Sequence, residues 1–476
     1  MHVGPVISLD TLPDDVLLAI FNWYPDELGY EETRERAWQS LVHVCHRWRS
    51  IVFGSPRYLK LKLVCTESTR ARDLLDVWTA LPLVILYEGN YRMRNVDNAI
   101  AVLERTDRVS QIHLLKVPLS DLEIILAAMQ QPFPELTFLR LWAHKATVPV
   151  VPDSFLGGFA PRLEYLALRG LPFPSLTKLL LSATRLVILY LTDIPHSGYI
   201  SPDTMATTLS TLTSLEKLDL RFNSPRSCPD RASRRSLPST RSVLPVLTLF
   251  WFKGVTEYLE NLVAHIDTPQ LNDLTIAFFN DVVFDTPQLM QFISRTPMLT
   301  NLERAHINLW DEAAYVNFSS RTSGRRGLNV EIFCRGLDWQ LSSLEQVCTP
   351  CLPTQSMLED LCIYMRPRRW LDWEDQIDNG LWLELLRPFT AVKNLYLSDE
   401  FAPRIAPALR ELIGGRTTEV LPALQNIFLE GYESSGSVEE DLGHLVSARQ
   451  AGGHPIAISS WADSKKEKIT QYYFYS

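Results

Sequence analysis

Two cysteine arrangements are the first candidates for chemistry. Cys348-Thr-Pro-Cys351 has the CxxC spacing of half a zinc site or a redox pair. No second pair and no histidine follows at metal-site distance, so free thiols are the expectation and a closed zinc site is not supported. His43 and His46 flank Cys45, and an i, i+3 pair on a helix can share a ligand; the alternative is two imidazoles facing solvent. A third candidate is Ser224 to Ser242, SPRSCPDRASRRSLPSTRS, where serines stand beside arginines. Phosphate added there would pair with Arg226, Arg234 or Arg235, whereas the plainer reading is a solvated, exposed insertion. No Gly-rich phosphate loop, no Gly-x-Ser-x-Gly elbow and no His-Glu-x-x-His occurs. We therefore expect no catalytic residues, no metal and no cofactor, and a protein that is not an enzyme.

Composition narrows the class of partner. The 476 residues exceed one compact core, so several domains or one elongated repeat array is expected. Hydrophobic residues make up 46% and charged residues 21%, enough apolar material for a sizeable core without a disorder signature. Lys and Arg number 46 against 55 Asp and Glu, a net charge of -9, which gives the whole chain no footprint for nucleic acid or anionic lipid. The first residues carry acids at Asp10, Asp14 and Asp15 and no basic or apolar leader pattern, so a secretory signal is not expected. The most apolar stretch, Leu176 to Ile194, is interrupted by Lys178 and Arg185 and reads as buried core, not a membrane span. Seven scattered cysteines suit free thiols in a reducing compartment, and the cytoplasm or nucleus follows as the expected location.

The elements that would position a binding surface come from a repeat. The pattern apolar-x-x-apolar-x-apolar recurs with first positions at Leu81, Val109, Leu136, Leu163, Leu186, Leu215, Leu244, Leu271 and Leu299, a step of about 28 residues. Beyond Leu299 it loosens: Arg304 holds a third position, the frame near Leu328 is degenerate, and Leu358, Val392 and Leu424 follow at wider steps. Each unit reads as a short strand followed by helix-period residues, as in Ser120 to Gln130, and then a turn such as Pro132-Phe-Pro134. One strand and one helix per unit is a leucine-rich-repeat coil. The fold class expected is α/β: a small helical N-terminus, then a curved leucine-rich-repeat-like solenoid with a parallel sheet on its concave face. Outward strand positions should then bind: Phe138, Arg140, Tyr165, Tyr190, Glu216, Asp219 and Asp273 are the candidates for substrate contact. Across the frames seven acids face three bases, which suggests a basic partner segment or merely a solvated surface.

Ahead of the repeats, Leu12-Pro13-Asp14-Asp15-Val16-Leu17-Leu18-Ala19-Ile20-Phe21 starts a helix, with Thr11 as a possible cap and acids in the first turn. A second apolar face follows at Leu41, Val44, Cys45, Trp48 and Ile51. This pair, L-P-x-x-V-L-x-x-I-F and L-V-x-V-C-x-x-W-R-x-I, resembles the F-box. Ser50 to Thr66 and Ser182 to Pro202 extend the resemblance to fungal F-box proteins with degenerate leucine-rich repeats. The resemblance implies a substrate-recognition subunit of a Skp-cullin-F-box ubiquitin ligase. Its box at 8–56 would dock a Skp-type adaptor through Leu12, Pro13, Val16, Leu17, Ile20, Phe21, Val44, Cys45 and Trp48. A linker or cap at 57–80 and a solenoid at 81–455 would follow, with a tail at 456–476. The partners expected are the adaptor, a cullin-RING ligase and a protein substrate, with no nucleic acid and no membrane. The alternative is a repeat scaffold without ligase association.

Overall fold

The computed structural model describes residues 11–24, 38–56, 58–66, 69–78, 80–88, 96–143, 149–227, 241–279, 286–310, 312–321, 326–351, 357–364, 377–412, 416–430 and 436–461. Most of the link Asn22 to Arg36, most of the Arg-rich insertion 224–242 and the tail beyond Trp461 lie outside the described residues. The chain divides into two compact units, residues 1–190 and 191–476.

The first unit opens with helices α1 (Asp14–Trp23) and α2 (His46–Gly54). It continues through β1 (Leu63–Thr66), α3 (Ala71–Val77), β2 (Leu83–Glu88), α4 (Val96–Leu103), β3 (Val109–Val117), α5 (Leu119–Ala128), β4 (Phe138–Ala143), β5 (Tyr165–Arg169) and α6 (Leu176–Ser182) to the start of β6 (Ile188–Ile194). Strands β1 to β5 pair in chain order and in parallel. The register explains the leucine spacing. Ile85, Ile112, Leu139 and Leu166 form one row across the sheet and Tyr87, Leu114, Leu141 and Leu168 the next, all of them buried. Each such side chain withdraws enough apolar surface to stabilise the stack by about 1.5–3 kcal/mol. Side chains one position along point to the opposite face, because strand periodicity is two.

The second unit contains α7 (Pro202–Leu209), β7 (Lys217–Phe222), the short β8 (Ser242–Val243), β9 (Leu249–Gly254), α8 (Thr256–His265), the short β10 (Ile266–Asp267), β11 (Asp273–Phe278) and α9 (Pro287–Ser294). After these come β12 (Arg304–Leu309), β13 (Ala314–Ser319), β14 (Gly327–Ile332), α10 (Leu337–Cys351), β15 (Asp360–Tyr364), α11 (Asn379–Leu386), β16 (Asn394–Leu397), α12 (Ala402–Arg410), β17 (Asn426–Glu430), α13 (Gly436–Ala451) and β18 (Ala457–Trp461). Its main sheet runs in the order β7-β9-β11-β14-β13-β12-β15-β16-β17-β18, and β8 pairs with β10 apart from it. Only β13 among the described strands runs antiparallel to its neighbours. The loosening after Leu299 thus has a cause: a meander, β12-β13-β14, is inserted where one coil would stand. The start of β14 opposite Ser319 depends on Gly327, where a Cβ atom would sit 2.0 Å from the Phe318 carbonyl oxygen.

Two frames ahead of Leu299 shift register. Counting from Leu81 would send Leu86 inward, but Leu86 shares a row with His113, and Ile85 and Tyr87 fill the core row. Counting from Leu244 would send Leu249 inward, yet Phe250 and Phe252 align with Leu218 and Leu220. Both segments, LVILY and LFWF, are apolar at every position, so alternation gives no sign of which residues face the core. At the N-terminus, Pro13 and not Thr11 occupies the N-cap of α1. The second apolar segment is not one helix either. Residues 38–42 are helical, a turn follows, and Cys45 is the extended N-cap of α2, its Sγ accepting from the Trp48 amide at 3.4 Å. His43 and His46 are therefore not i, i+3 neighbours on a single helix.

Candidate protein-interaction site

The N-terminal module closes its own small core. Leu17 and Phe21 are buried on the inner face of α1, and the Trp48 ring meets Phe21 with centroids 4.7 Å apart. Arg47 ties the helices together, donating from Nε to Asp14 Oδ1 at 3.0 Å and from Nη2 to the Leu12 carbonyl. Beside exposed polar residues such as Asp15 and Asn22, a set of large apolar side chains remains outward: Val16, Ile20 and Trp23, spaced i, i+4, i+7, are 39%, 41% and 60% exposed, and Val44 is 58% exposed. The nine residues that the resemblance singled out thus fall into three groups. Pro13, Val16, Ile20 and Val44 are exposed; Leu17 and Phe21 are internal; Leu12, Cys45 and Trp48 are half-buried. Trp23 belongs with the exposed group and was missed because the motif stops at Phe21.

The module is fixed to the first coil. Trp38 is buried, donates its indole N–H to the Lys62 carbonyl at 2.9 Å, and packs edge-on against Trp78 and Phe53 at 5.7 and 6.1 Å.

On the sheet face of the first unit the outward side chains form an aromatic ladder. His113 on β3 stacks on Phe138 at 4.3 Å, Phe138 stacks on Tyr165 at 4.0 Å, and Tyr190 meets Tyr165 edge-on at 5.8 Å. Beside it, Trp142 carries two cations, Arg169 at 4.6 Å and Lys116 at 5.1 Å from its ring centroid. Arg140, exposed, lies between these two features on β4. Burial, together with Arg140 and Lys62 nearby, pulls the His113 imidazole down to about 4, so it is neutral at physiological pH. Four sequence candidates, Phe138, Arg140, Tyr165 and Tyr190, are thus brought onto one face. His113 stood at an outward position of its own frame, and Trp142 lies one residue past the six-residue consensus.

The acidic candidates of the second unit are differently placed. Asp219 is only 3% exposed and bonds Arg221 Nη2 at 2.7 Å. Asp273 is half-buried and accepts from Thr275 and Asn329; burial raises its carboxyl above the usual range. Glu303, Glu359 and Asp360 surround Arg321, with Lys393 on Glu359 at 2.6 Å and Arg304 on Asp360 at 3.2 Å. Glu164, in the first unit, pairs with Arg185. Glu216 is exposed. The excess of acids counted along the frames is therefore largely neutralised by arginines at other positions, and it does not amount to an acidic docking face.

Cys348 is buried, while the side chain of Cys351 lies outside the description. Among the described residues a single group of potential metal ligands comes together, Asp399, Glu400 and Glu430, with ligand atoms within 4.8 Å of one another. It is an acidic cluster at the ends of β16 and β17, where burial and a bond from Asp399 raise the Glu400 carboxyl. No described helix is long and apolar enough to cross a membrane.

No family model and no curated protein matches this sequence. Among solved structures, one similar chain is the leucine-rich repeat-containing protein LegL7 from Legionella pneumophila, 12% identical over 80% of this chain and 97% of that one, with a TM-score of 0.27. So distant a likeness carries no argument. The strand register and helix spacing of the chain itself are what give a leucine-rich-repeat-like α/β fold with a row of outward-facing side chains on its sheet.

Proposed function

We propose that this chain is a non-catalytic adaptor: its N-terminal helices engage a Skp-type subunit of a cullin-RING ubiquitin ligase, and its sheet face holds a protein substrate. The observation that carries the proposal is the apolar strip of Val16, Ile20, Trp23 and Val44, left exposed on a module whose own core is already closed. Exposed apolar groups on so small a helical unit, beside a proline-led helix start, fit a partner that desolvates them. The Trp38 anchor would then hold ligase and substrate at a set spacing, so that ubiquitin transfer is accelerated by proximity and orientation. A scaffold that no longer binds an adaptor is the second reading, since the outward sheet positions alone would serve it.

The test is co-expression of the full chain with a Skp-type adaptor and co-elution on a sizing column. Trp48→Ala removes a ring that packs on Phe21, so loss of folding would confuse the result. Ile20→Asp and Val44→Asp alter exposed positions and should leave thermal unfolding within a few degrees, because surface substitutions usually change stability by less than about 0.5 kcal/mol. A complex formed by the wild type and lost in both variants is expected. A folded wild type that never co-elutes would leave the scaffold reading in its place.

A further inference from the structure

The aromatic ladder of the first unit specifies the chemistry of its occupant. Phe138 has both ring faces covered, by His113 on one side and Tyr165 on the other. Stacked rings standing on a sheet present their edges outward, and ring edges carry the positive end of the aromatic quadrupole. Arg140 stands in the same register row as His113, and Trp142, bearing Arg169, stands in the row of Leu115. Against Arg140, Arg169 and Lys116 the strands β2 to β5 carry one acid, Glu88, in the row of Leu115 and Trp142, and Glu164, one residue before β5, is already paired with Arg185. The neutral His113 adds no charge of its own. The face is thus a positively edged apolar ladder flanked by cations, inside a chain whose net charge is -9.

We propose that this face binds an extended, acidic polypeptide segment of a partner protein, with carboxylates against Arg140 and Arg169 and apolar side chains along the edges of Phe138, Tyr165 and Tyr190. The inference rests on the adaptor reading only in calling that segment a substrate; the binding itself stands without a ligase. Single-stranded nucleic acid, which also seeks aromatic and cationic surfaces, needs free ring faces for base stacking. The ladder withholds them at Phe138. The chain's own insertion 224–242 carries five arginines and one acid, so its charge is wrong for this site.

The experiment uses the full chain and three fluorescein-labelled probes of equal length: a peptide repeating Glu-Phe-Pro, its Lys-Phe-Pro counterpart, and oligouridylate. Fluorescence anisotropy should show binding of the acidic peptide, at least about tenfold tighter than either other probe, weakening as salt rises from about 0.05 to about 0.5 M. Arg140→Glu and Arg169→Glu should each weaken it about tenfold, since a like charge then faces the carboxylates. Arg105→Glu, in the turn before β3 and off the face, should leave it unchanged. Equal or tighter binding of the basic peptide or of oligouridylate would overturn the inference. So would acidic-peptide binding indifferent to Arg140→Glu, or no peptide binding by chain that elutes folded. Adaptor co-elution scored on the same samples separates the two ideas: it can fail while the acidic peptide binds, and it can succeed while the peptide does not.

Discussion

His113 stacks on Phe138 in a buried position where its ring is neutral at physiological pH. Burial is the main cause of its low affinity for a proton, which it binds only at about 4, and burial with Arg304 nearby does the same to His306 in the second unit. In the unfolded chain both titrate near 6.5. The unfolded state therefore binds more protons than the folded one between about pH 6.5 and about 4, and stability must fall as pH drops through that window. Asp219 acts oppositely. Burial raises it from 3.8 to about 6, so the folded chain protonates it first and its contribution is lost as pH rises through that range. Asp273, Glu331 and Glu400, whose carboxyls burial also raises, act as Asp219 does; against these four, we expect the two histidines to lower the urea midpoint at about pH 5 relative to about pH 7. The difference should shrink in a His113→Gln, His306→Gln double variant and grow in Asp219→Asn. A double variant with the full pH difference would show that other groups govern acid sensitivity.

At the scale of the elements, successive coils are joined by a device that recurs at the length of the repeat. Arg108 donates to the carbonyl of Leu81, 27 residues upstream; Arg295 to that of Ile266, 29 upstream; Arg449 to that of Leu421, 28 upstream. In each case the guanidinium enters the segment between the preceding helix and its strand and donates to backbone carbonyls there. Arg295 also reaches the Val263 carbonyl and Asp267. Replacing it by methionine keeps most of the volume and strands those acceptors, which should cost about 2–4 kcal/mol. Arg295→Lys should recover part of that loss, and a chemical denaturation curve for each variant measures it. An Arg295→Met chain as stable as the wild type would mean that water replaces the guanidinium without penalty.

None of these arginines is visible in the consensus, because a hydrogen bond between coils leaves no periodicity of its own among apolar residues. The apolar step itself was legible, since burial on one face of a strand constrains residue type every second position. Leu136, Leu163 and Leu215 sit where the spacing put them, at the start of coils and buried. The β12-β13-β14 meander was not legible. Its strands enter the sheet in reversed order between β11 and β15, and nothing local in Arg304 to Ile332 distinguishes an antiparallel insertion from a weak repeat. The candidate site divides the same way. Phe138, Tyr165 and Tyr190 were named from alternation alone, whereas the pairing of Glu303, Glu359 and Asp360 with Arg321 depends on a residue outside every frame.

For the molecule as a whole, a repeat array is stabilised by its own coils and by the contacts between neighbours, so its terminal coil needs a cover. Among the described strands β1 pairs on one side only, with β2, and is the edge of its sheet in the first unit. An uncovered edge strand with apolar side chains is a site of fraying and of pairing with other chains. The N-terminal helices act at this end through Trp38, which bonds the carbonyl just before β1, and through the ring cluster of Trp38, Phe53 and Trp78. This gives the module a structural duty besides the adaptor docking proposed for it. Deleting residues 1–56 should therefore speed amide exchange in β1 and β2 by at least about tenfold, a local loss of about 1.4 kcal/mol or more. Strands β15 to β18, many coils away along the chain, should keep wild-type protection under nearest-neighbour stabilisation. The single change Trp38→Ala should reproduce a smaller part of the effect with Val16, Ile20 and Val44 still present, which separates anchoring from adaptor docking. Unaltered protection of β1 and β2 in both proteins would mean that the first coil is stable alone and that the helices are merely tethered to it.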